Sequence, residues 1–464
     1  SGECCMKFSR RDMLKLSAAL PFVWQARAEQ IPILDIVSRV LEVKGKAAKV
    51  FGIIGPDGKP GLSLVYGQPF RALLRNQLSE ETAIHWHGLT PPVAQDGVPM
   101  LVGEPLKAGE SRNYDFINKK VGTHWMHSHM GLQEQQLLAA PLIVHETAKP
   151  VFDDQEHVVM LHDFTFRDPA EILAELNGGD APQMARMEVN PAHPSTMAMA
   201  SDIKFDALLA NDRTLDDPEV VKVDKGGALR LRLINAASAT NLWVELGELK
   251  GQLIAVDGNA VKPINVSRFP LAIAQRADVR ITIPNETGAW PILFHSESSQ
   301  LHGGIYLKAG GGSVDQIFDL CQASAPIGLE FESMLRVPYA LHKSPLVQHE
   351  TVALTGGDDH HQFGFNGRPM MHDVLFKVKQ GTRVEVAFRN ETVMAHPMHI
   401  HGHYFQVTEI NDVSFEGAQR DTILVPAGYT VKVQFEADNP GLWAFHCHHL
   451  YHMNSGMMAA MAYA

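Results

Sequence analysis

The sequence predicts an all-β protein built from three Greek-key β-sandwich domains. Short runs of alternating apolar and polar residues, such as 228–233 and 383–388, are separated by Gly, Pro and Asn, which is typical of strands joined by turns. One segment also recurs three times along the chain. A length of 464 residues fits two or three domains rather than one.

The first 28 residues predict an export signal. Arg10 and Arg11 precede the apolar segment 16–24, and residues 26–28, Ala-Arg-Ala, have the form of a cleavage site. This pattern is typical of the twin-arginine route and predicts a periplasmic mature protein. The apolar part is too short to form a membrane anchor. The alternative is a surface basic cluster before a short core helix.

Composition narrows the function further. The net charge is −12 and no basic stripe occurs, which argues against nucleic-acid binding. Of the four cysteines, Cys4 and Cys5 lie in the predicted signal and Cys447 lies among histidines. Cys321 therefore has no evident partner, so a disulfide framework is not expected, and we interpret Cys321 as a small buried apolar residue.

The first half of the repeat begins at an asparagine, and nine residues later it reaches a four-residue segment that ends in glycine and contains two histidines in the outer copies. The copies are Asn76 to His85-Trp86-His87-Gly88, Asn235 to Val244-Glu245-Leu246-Gly247, and Asn390 to His399-Ile400-His401-Gly402. In this alignment the middle copy has Val244 and Leu246 where the outer copies have histidine. The sequence thus predicts that only the outer domains bind metal through this segment.

The second half of the repeat begins at a glycine and behaves in the same way. Its copies are Gly122 to His127-Ser128-His129, Gly288 to Leu293-Phe294-His295, and Gly441 to His446-Cys447-His448. Alternate residues of a strand face the same side, so each outer copy offers paired imidazoles. The outer domains together offer eight imidazoles, enough to bind metal at their interface. The middle domain is then a spacer, and His295 is expected to be structural.

Cys447 is flanked by two imidazoles, and His452 and Met457 follow it. A thiolate, two imidazoles and a long axial thioether are the ligands of a blue-copper electron-transfer site. The first domain has other residues at the matching positions: Thr82, Ser128, Gln133 and Leu138 stand where His396, Cys447, His452 and Met457 stand. The sequence therefore predicts this site in the third domain alone.

These four histidine-rich segments, in this order across nearly the whole chain, resemble those of the multicopper oxidases, the family of laccases, ascorbate oxidase and bacterial cuprous oxidases. The resemblance implies cupredoxin-like domains and four copper ions. It also implies one-electron oxidation of a substrate at a type 1 copper, coupled to four-electron reduction of O2 to water at a trinuclear cluster. The domains expected are 29–150, 151–310 and 349–464, with a linker at 311–348.

The resemblance also implies a ligand for each copper. The type 1 ligands would be His396, Cys447, His452 and Met457, and the type 2 ligands His85 and His399. One type 3 ion would take His87, His127 and His448, and the other His129, His401 and His446. Cys447, His446 and His448 would carry electrons from the type 1 site. Three further histidines are expected to orient ligands or to be structural: His124, His403 and His449.

Asp96, shortly after the first histidine motif, resembles an acidic residue that many members of the family place near the cluster. A carboxylate there can relay protons to the oxygen-reducing centre. The alternative is a turn residue in Gln95-Asp96-Gly97. Many relatives also carry an acid just after the position of His452, where this chain has Met453 and Asn454.

The substrate is open at the level of sequence. Soft thioethers select Cu(I). The segment Asp358-Asp359-His360-His361 and several methionines lie close in sequence to the ligand segments. The methionines are Met370, Met371, Met394, Met398, Met453, Met458 and Met461. They favour a cuprous oxidase in copper tolerance with broad laccase-like activity, although methionine also fills cores. The alternatives are a laccase of phenols or aromatic amines and, more remotely, a non-enzymatic exported scaffold. We expect a monomer whose partners are O2 and a small reducing substrate.

Overall fold

The computed structural model describes residues 31–147, 155–178, 203–297, 299–357 and 361–464. The predicted export signal at 1–28 lies outside the described residues. Residues Pro32–Ala464 form one compact unit that contains six β-sheets. They form three cupredoxin-like sandwiches, so the predicted all-β class is confirmed. No helix among the described residues is long and apolar enough to cross a membrane.

The first sandwich pairs the sheets β2-β1-β4-β6 and β3-β8-β7-β5. Its strands are β1 (Ile33–Val43), β2 (Lys46–Ile54), β3 (Leu62–Val65), β4 (Pro69–Asn76), β5 (Ile84–His87), β6 (Ser111–Ile117), β7 (Gly122–Ser128) and β8 (Ala139–His145). A 3-10 turn at Val93–Gln95 follows β5 and leads to Asp96. In its core Phe70 stacks on Phe116 and packs at a tilted angle against Trp86.

The second sandwich pairs the sheets β10-β9-β12-β17-β14-β15 and β11-β19-β18-β13-β16. Its elements are β9 (Gln155–Phe164), α1 (Pro169–Gly178), β10 (Ala207–Ala210), β11 (Glu219–Lys222), β12 (Ala228–Asn235), β13 (Leu242–Glu245), β14 (Gly251–Val256), β15 (Asn259–Val266), β16 (Arg268–Leu271), β17 (Arg276–Thr282), β18 (Gly288–Ser296) and β19 (His302–Ala309). A connector with a 3-10 turn at Glu332–Met334 leads to the third sandwich.

The third sandwich has sheets in the orders β21-β20-β23-β29-β25-β26, with β27 also on β25, and β22-β31-β30-β24-β28. Its elements are β20 (Leu346–Gly356), β21 (Phe363–Phe365), β22 (Met370–Val378), β23 (Arg383–Asn390), β24 (His396–Ile400), β25 (Phe405–Ile410), β26 (Val413–Ser414), β27 (Gln419–Arg420), β28 (Thr422–Val425), β29 (Thr430–Glu436), β30 (Leu442–Cys447), α2 (Leu450–Asn454) and β31 (Met457–Tyr463).

A buried asparagine marks the same position in all three sandwiches. Its side-chain amide donates to two backbone carbonyls, and its side-chain oxygen accepts from the backbone NH two residues on; the three are Asn76, Asn235 and Asn390. In each sandwich this asparagine also ends a strand paired in parallel with the first strand: β4 with β1, β12 with β9, and β23 with β20. These shared contacts support the threefold repeat.

The loop after this asparagine is one residue longer in the middle sandwich. Asn76 and Asn390 donate to the carbonyl four residues ahead, whereas Asn235 donates to the carbonyl of Thr240, five ahead. The strand pairing at the metal-bearing position follows this shift: His85 pairs with His127, Glu245 with Leu293, and His399 with His446.

The alignment of the middle copy by its spacing was therefore wrong by one residue. Glu245 and Gly247, not Val244 and Leu246, occupy the positions of the outer histidines. The added loop residue reverses which side chains face the core, since one step along a strand changes the face. Val244 and Leu246 are fully buried in the core of the middle sandwich, while Glu245 faces outward.

Candidate metal centres

One thiol and two imidazoles converge inside the third sandwich. Cys447 ends β30, His396 begins β24, and His452 lies on α2. Cys447 Sγ is 3.6 Å from His396 Nδ1 and 3.8 Å from His452 Nδ1, and the two nitrogens are 3.1 Å apart. All three side chains are fully buried. The edges of this triangle match the spacing of donors around one small transition-metal ion.

The surroundings of this triangle orient its donors. The Thr392 hydroxyl contacts His396 Nε2 at 2.8 Å, which leaves Nδ1 directed at the thiol. The His449 ring stacks on His452 with the ring centres 3.7 Å apart. Met457 is fully buried in the same core as Cys447. Burial lowers the pKa of His396 to about 3 and raises the pKa of the Cys447 thiol, so the imidazoles are neutral and able to bind a metal.

Eight more histidines gather between the first and third sandwiches. Four come from the β5 and β7 segments and four from the β24 and β30 segments, and all are at least nine-tenths buried; they are His85, His87, His127, His129, His399, His401, His446 and His448. Burial is the largest cause that lowers the pKa of seven of them, among them His446, whose pKa falls to about 4. Such neutral, closely packed imidazoles fit metal ligation.

Three of these imidazoles form one tight group. His446 Nε2 is 2.9 Å from His401 Nε2 and 3.3 Å from His129 Nε2. The Nδ1 atoms of two of them have partners, since His401 Nδ1 contacts Asp96 Oδ2 and His446 Nδ1 donates to the Cys447 carbonyl. The three Nε2 atoms are therefore free to bind the same ion.

A second group of three lies on the other side. The ring centres of His87, His127 and His448 are 4.9 to 5.6 Å apart. His87 Nε2 contacts Asp421 Oδ1 at 3.0 Å, while His87 Nδ1 has no hydrogen-bond partner among the described residues. His127 Nε2 and His448 Nε2 likewise have none there. The unpartnered nitrogens are the ones that a metal would take.

His85 and His399 complete the set. Each has a partner on Nδ1, the carbonyl of Asp96 for His85 and the carbonyl of Asp421 for His399. The Nε2 atoms of both have no hydrogen-bond partner among the described residues. The structure thus brings together every histidine that the sequence predicts for the cluster. Five of the rings have a nitrogen without a hydrogen-bond partner among the described residues, and the Nε2 atoms of the other three contact one another.

Asp96 joins the two sandwiches. It follows the turn at Val93–Gln95 of the first sandwich, and its Oδ2 lies 2.8 Å from His401 Nδ1 of the third. Its Oδ1 lies 3.2 Å from His85 Nδ1. At 1 % exposure it is not an ordinary surface turn residue.

The sequence interpretation missed two more acids at the cluster. Glu134 Oε2 lies 2.9 Å from His127 Nδ1, and Asp421 contacts His87 and forms a buried ion pair with Arg276. Burial raises the pKa of Glu134 well above its ordinary range. Glu134 stands only five residues after His129, and this short spacing could have indicated an acid near the cluster. Asp421 has no motif near it, so its role depends on the pairing of β24 with β28.

The three histidines outside the ligand set have other contacts. His124 Nε2 donates to the Val121 carbonyl, and His403 lies between the His401 carbonyl and the Tyr463 hydroxyl. His449 caps α2 through His452 N and stacks on the His452 ring. His403 and His449 thus position predicted ligands.

The methionines divide by burial. Met370, Met394, Met398, Met458 and Met461 are at most 4 % exposed, which favours packing for most of the sulfur atoms named in the sequence. Met371 is 52 % exposed and Met453 is partly buried. Of Asp358-Asp359-His360-His361, only His361 is described, and its ring centre lies 5.5 Å from that of His452.

The sequence of the chain is similar to known proteins along most of its length. Three family models, each described as multicopper oxidase, match residues 38–149, 155–307 and 344–464. The chain is 28 % identical over 414 residues to multicopper oxidase MmcO of Mycobacterium tuberculosis, covering 87 % of this chain and 81 % of that protein. It is 25 % identical over 574 residues to copper resistance protein A of Escherichia coli, covering 95 % and 93 %.

Solved structures share the fold. Fet3p, described as a multicopper oxidase that functions in iron import, superimposes with a TM-score of 0.75 at 19 % identity, covering 93 % of this chain and 90 % of that one. A laccase from Botrytis aclada gives a TM-score of 0.74 at 19 % identity, covering 93 % and 87 %. At these identities the likeness concerns the fold alone.

Proposed function

Because this chain belongs to the multicopper oxidase family, whose members reduce oxygen with type 1, type 2 and type 3 coppers, we propose that it is a cuprous oxidase of copper tolerance with broad laccase-like activity. The observation that carries the oxidase assignment is that β30 carries both Cys447 of the buried Cys-His-His triangle and His446 of the eight-histidine cluster. Family membership makes it an enzyme, which removes the non-enzymatic scaffold.

We propose the ligands that the sequence implied. The type 1 copper takes His396, Cys447 and His452 with Met457 as the axial ligand, and the type 2 copper takes His85 and His399. Unpartnered ring nitrogens support one type 3 ion on His87, His127 and His448, and the close Nε2 contacts support the other on His129, His401 and His446. The coppers supply one-electron redox chemistry and the binding of oxygen.

The chain itself would connect the two centres. Cys447 faces the type 1 position, and its covalent neighbours His446 and His448 face the cluster, because adjacent strand residues point to opposite sides. The His446 Nδ1–H donates to the Cys447 carbonyl at 2.9 Å, which adds a hydrogen-bonded link to the covalent one. Both links are buried, so solvent does not interrupt them.

Asp96 would hand protons to the cluster. Its carboxylate contacts both His401 and His85, one from each sandwich. A carboxylate in that place can hold a proton at one of its oxygens and release it toward the cluster. Glu134, on the opposite side at His127 and His448, is the candidate for the second route that the residues after His452 do not provide.

The Cu(I) substrate is supported by thioethers at the boundary of the first and third sandwiches. Met371 is the register partner of Met458 across β22 and β31, and Met453 packs against the apolar cluster that contains Met458 and Val98. Met371 is exposed, so it is open to an ion arriving from solvent. Soft sulfur donors select Cu(I). The similarity to the protein named copper resistance protein A also supports Cu(I) as the substrate.

The experiment compares two substrates in the same protein. Met371→Leu and Met453→Leu retain apolar volume but remove sulfur, so we expect a several-fold higher apparent KM for Cu(I) and little change for a phenol. Met334→Leu, an exposed methionine of the connector, is the matched control and should change neither. If both activities fall together, the methionines tune packing and the laccase reading is better.

The laccase alternative oxidises phenols or aromatic amines beside His452. His452 Nε2 has no hydrogen-bond partner among the described residues, as a donor to a phenolate would require. However, His452 is fully buried beneath His449 and Phe363, whose rings lie 3.7 and 4.0 Å away. A bulky aromatic would have to displace these rings, which favours a small electron donor.

For the location, we propose export by the twin-arginine route to the periplasm. Arg10 and Arg11 carry the signal. Replacing both by lysine should leave the protein in the cytoplasmic fraction with its signal uncleaved. Normal periplasmic recovery of that variant would contradict the route.

A further inference from the structure

The middle sandwich contains a second cluster of metal-binding side chains, remote in sequence from the copper motifs. His295 on β18 and His302 on β19 are direct partners across an antiparallel ladder, so their side chains leave the same face of the sheet. Cys321 reaches them from the connector. One ligand atom from each of the three lies within 4.8 Å of the other two, and His295 Nδ1 is 3.4 Å from Cys321 Sγ.

The contacts of both imidazoles leave Nδ1 for the cluster. His302 Nε2 donates to the Phe318 carbonyl, and its Nδ1 has no hydrogen-bond partner among the described residues although the residue is 95 % buried, with 5 % exposed. His295 Nε2 faces the Glu245 carboxylate at 3.3 Å, which leaves Nδ1 directed at Cys321. A carbonyl or carboxylate on the remote nitrogen is the arrangement that fixes metal-binding histidines.

The connector is fixed at this point by its backbone. His302 N donates to the Asp319 carbonyl at 3.1 Å, and Cys321 N donates to the Gln300 carbonyl at 2.8 Å. These bonds place the connector as an added strand beside the hairpin. Cys321 is partly exposed rather than buried, so its interpretation as an apolar core residue was wrong.

The geometry points to a fifth metal site at His295, His302 and Cys321, which binds a thiophilic transition-metal ion, Cu(I) or Zn²⁺. The donors are of the same three kinds as in the Cys447 triangle, two Nδ1 and one Sγ, and the Nδ1–Sγ edge of 3.4 Å is close to the 3.6 Å edge there. Two imidazoles and a thiolate suit both ions.

The repeat explains how such a cluster could arise. His295 stands seven residues after Gly288, as His448 stands seven residues after Gly441, and Glu245 occupies the register position of His399. The face that carries the trinuclear cluster in the outer sandwiches carries Glu245 and His295 in the middle one. His302 and Cys321 have been added to that face from elsewhere.

Metal binding at this site would displace the proton of the Cys321 thiol. A metal entering at neutral pH would form the Sγ–metal bond and release the thiol proton to solvent. No electron transfer is involved in this step.

The test uses the full-length enzyme loaded with four coppers. Excess Zn²⁺, which the oxidase cannot oxidise, is added and removed by gel filtration, and metal per chain is measured by elemental analysis. We expect five metals per chain for the unmodified protein, and four for Cys321→Ser and for His302→Gln. Blue absorbance and oxidase turnover should be unchanged in both variants.

Two further variants separate a site from general histidine binding. Glu245→Ala should weaken the fifth metal about 10- to 100-fold, because the carboxylate only orients His295. His157→Gln removes a histidine with a similar carboxylate partner, Glu219 at 3.1 Å, and should leave five metals. Four metals in the unmodified protein, or equal retention in Cys321→Ser, would overturn the site. Cys321 lies on the partly exposed connector, so Cys321→Ser keeps the test decisive if His302→Gln does not fold.

Discussion

The first and third sandwiches differ most at one equivalent position. In the third, His396, Cys447 and His452 form a triangle with edges of 3.1 to 3.8 Å. In the first, Gln133 Oε1 accepts from the hydroxyls of Thr82 and Ser128, each at 2.7 Å; these are the residues that the sequence aligns with the three ligands. The same strands and the same turn therefore hold either a metal-binding triangle or a hydrogen-bonded one.

This difference shows that the scaffold does not by itself determine the chemistry. In the first sandwich, Thr82, Ser128 and Gln133 are at most 7 % exposed, so their polar atoms must find partners within the protein. A hydroxyl–amide network satisfies them without metal. In the third sandwich, neutral imidazoles and a thiol leave unshared donor electrons that favour a soft ion.

The largest effect is expected where the triangle loses its thiolate. Cys447→Ser gives the third sandwich the residue that the first has, so the blue charge-transfer absorption and oxidase turnover should both be abolished. The copper of the eight-histidine cluster should remain in part, because its ligands are unchanged. Absorption and copper content of the same sample check this. Full turnover in the variant would contradict the assignment of the triangle as the electron entry site.

The second prediction concerns the interface that both sandwiches build. His401→Ala removes one imidazole of the cluster and the partner of Asp96, but leaves the triangle intact. The protein should stay blue and bleach with reductant, yet regain its colour slowly in air. Stopped-flow reoxidation measures this. A wild-type reoxidation rate would mean that His401 does not serve oxygen reduction.

The sequence predicted the outer sandwiches better than the middle one. Histidine spacing on strands identified all eight cluster residues, because a strand fixes which side chains share a face. The middle sandwich was misaligned by one residue, since spacing cannot show that the loop after Asn235 is longer. Asp421 and Arg276 were missed because their contacts arise only when β17 and β28 meet the cluster.

The third prediction addresses Asp96, the residue of the first sandwich that contacts His401 of the third. Asp96→Asn keeps the size of the side chain but removes its ability to carry a proton. Turnover should fall by about 100-fold or more and its pH profile should change, with copper content nearly unaltered. An unchanged rate and profile would return Asp96 to the role of a turn residue.

The smallest effect is expected at the hydrogen-bonded triangle. Ser128→Ala removes one donor to Gln133 Oε1 and the acceptor for Met130 N, at a cost of about 1 to 3 kcal/mol. In a sandwich of this size that corresponds to a melting temperature about 2 to 10 °C lower. Blue absorption and turnover should not change, because the triangle of the third sandwich is separate.

Ser414→Ala is the matched control for this last comparison. Ser414 donates to Glu409 at 2.9 Å on an exposed strand, so water replaces the lost bond and stability should change by less than about 0.5 kcal/mol. Calorimetry of both variants gives the contrast directly. If Ser128→Ala melts like Ser414→Ala, the first sandwich does not depend on its hydrogen-bonded triangle. The packing of the fully buried Leu138 would then hold this part of the first sandwich in place of the hydrogen bonds.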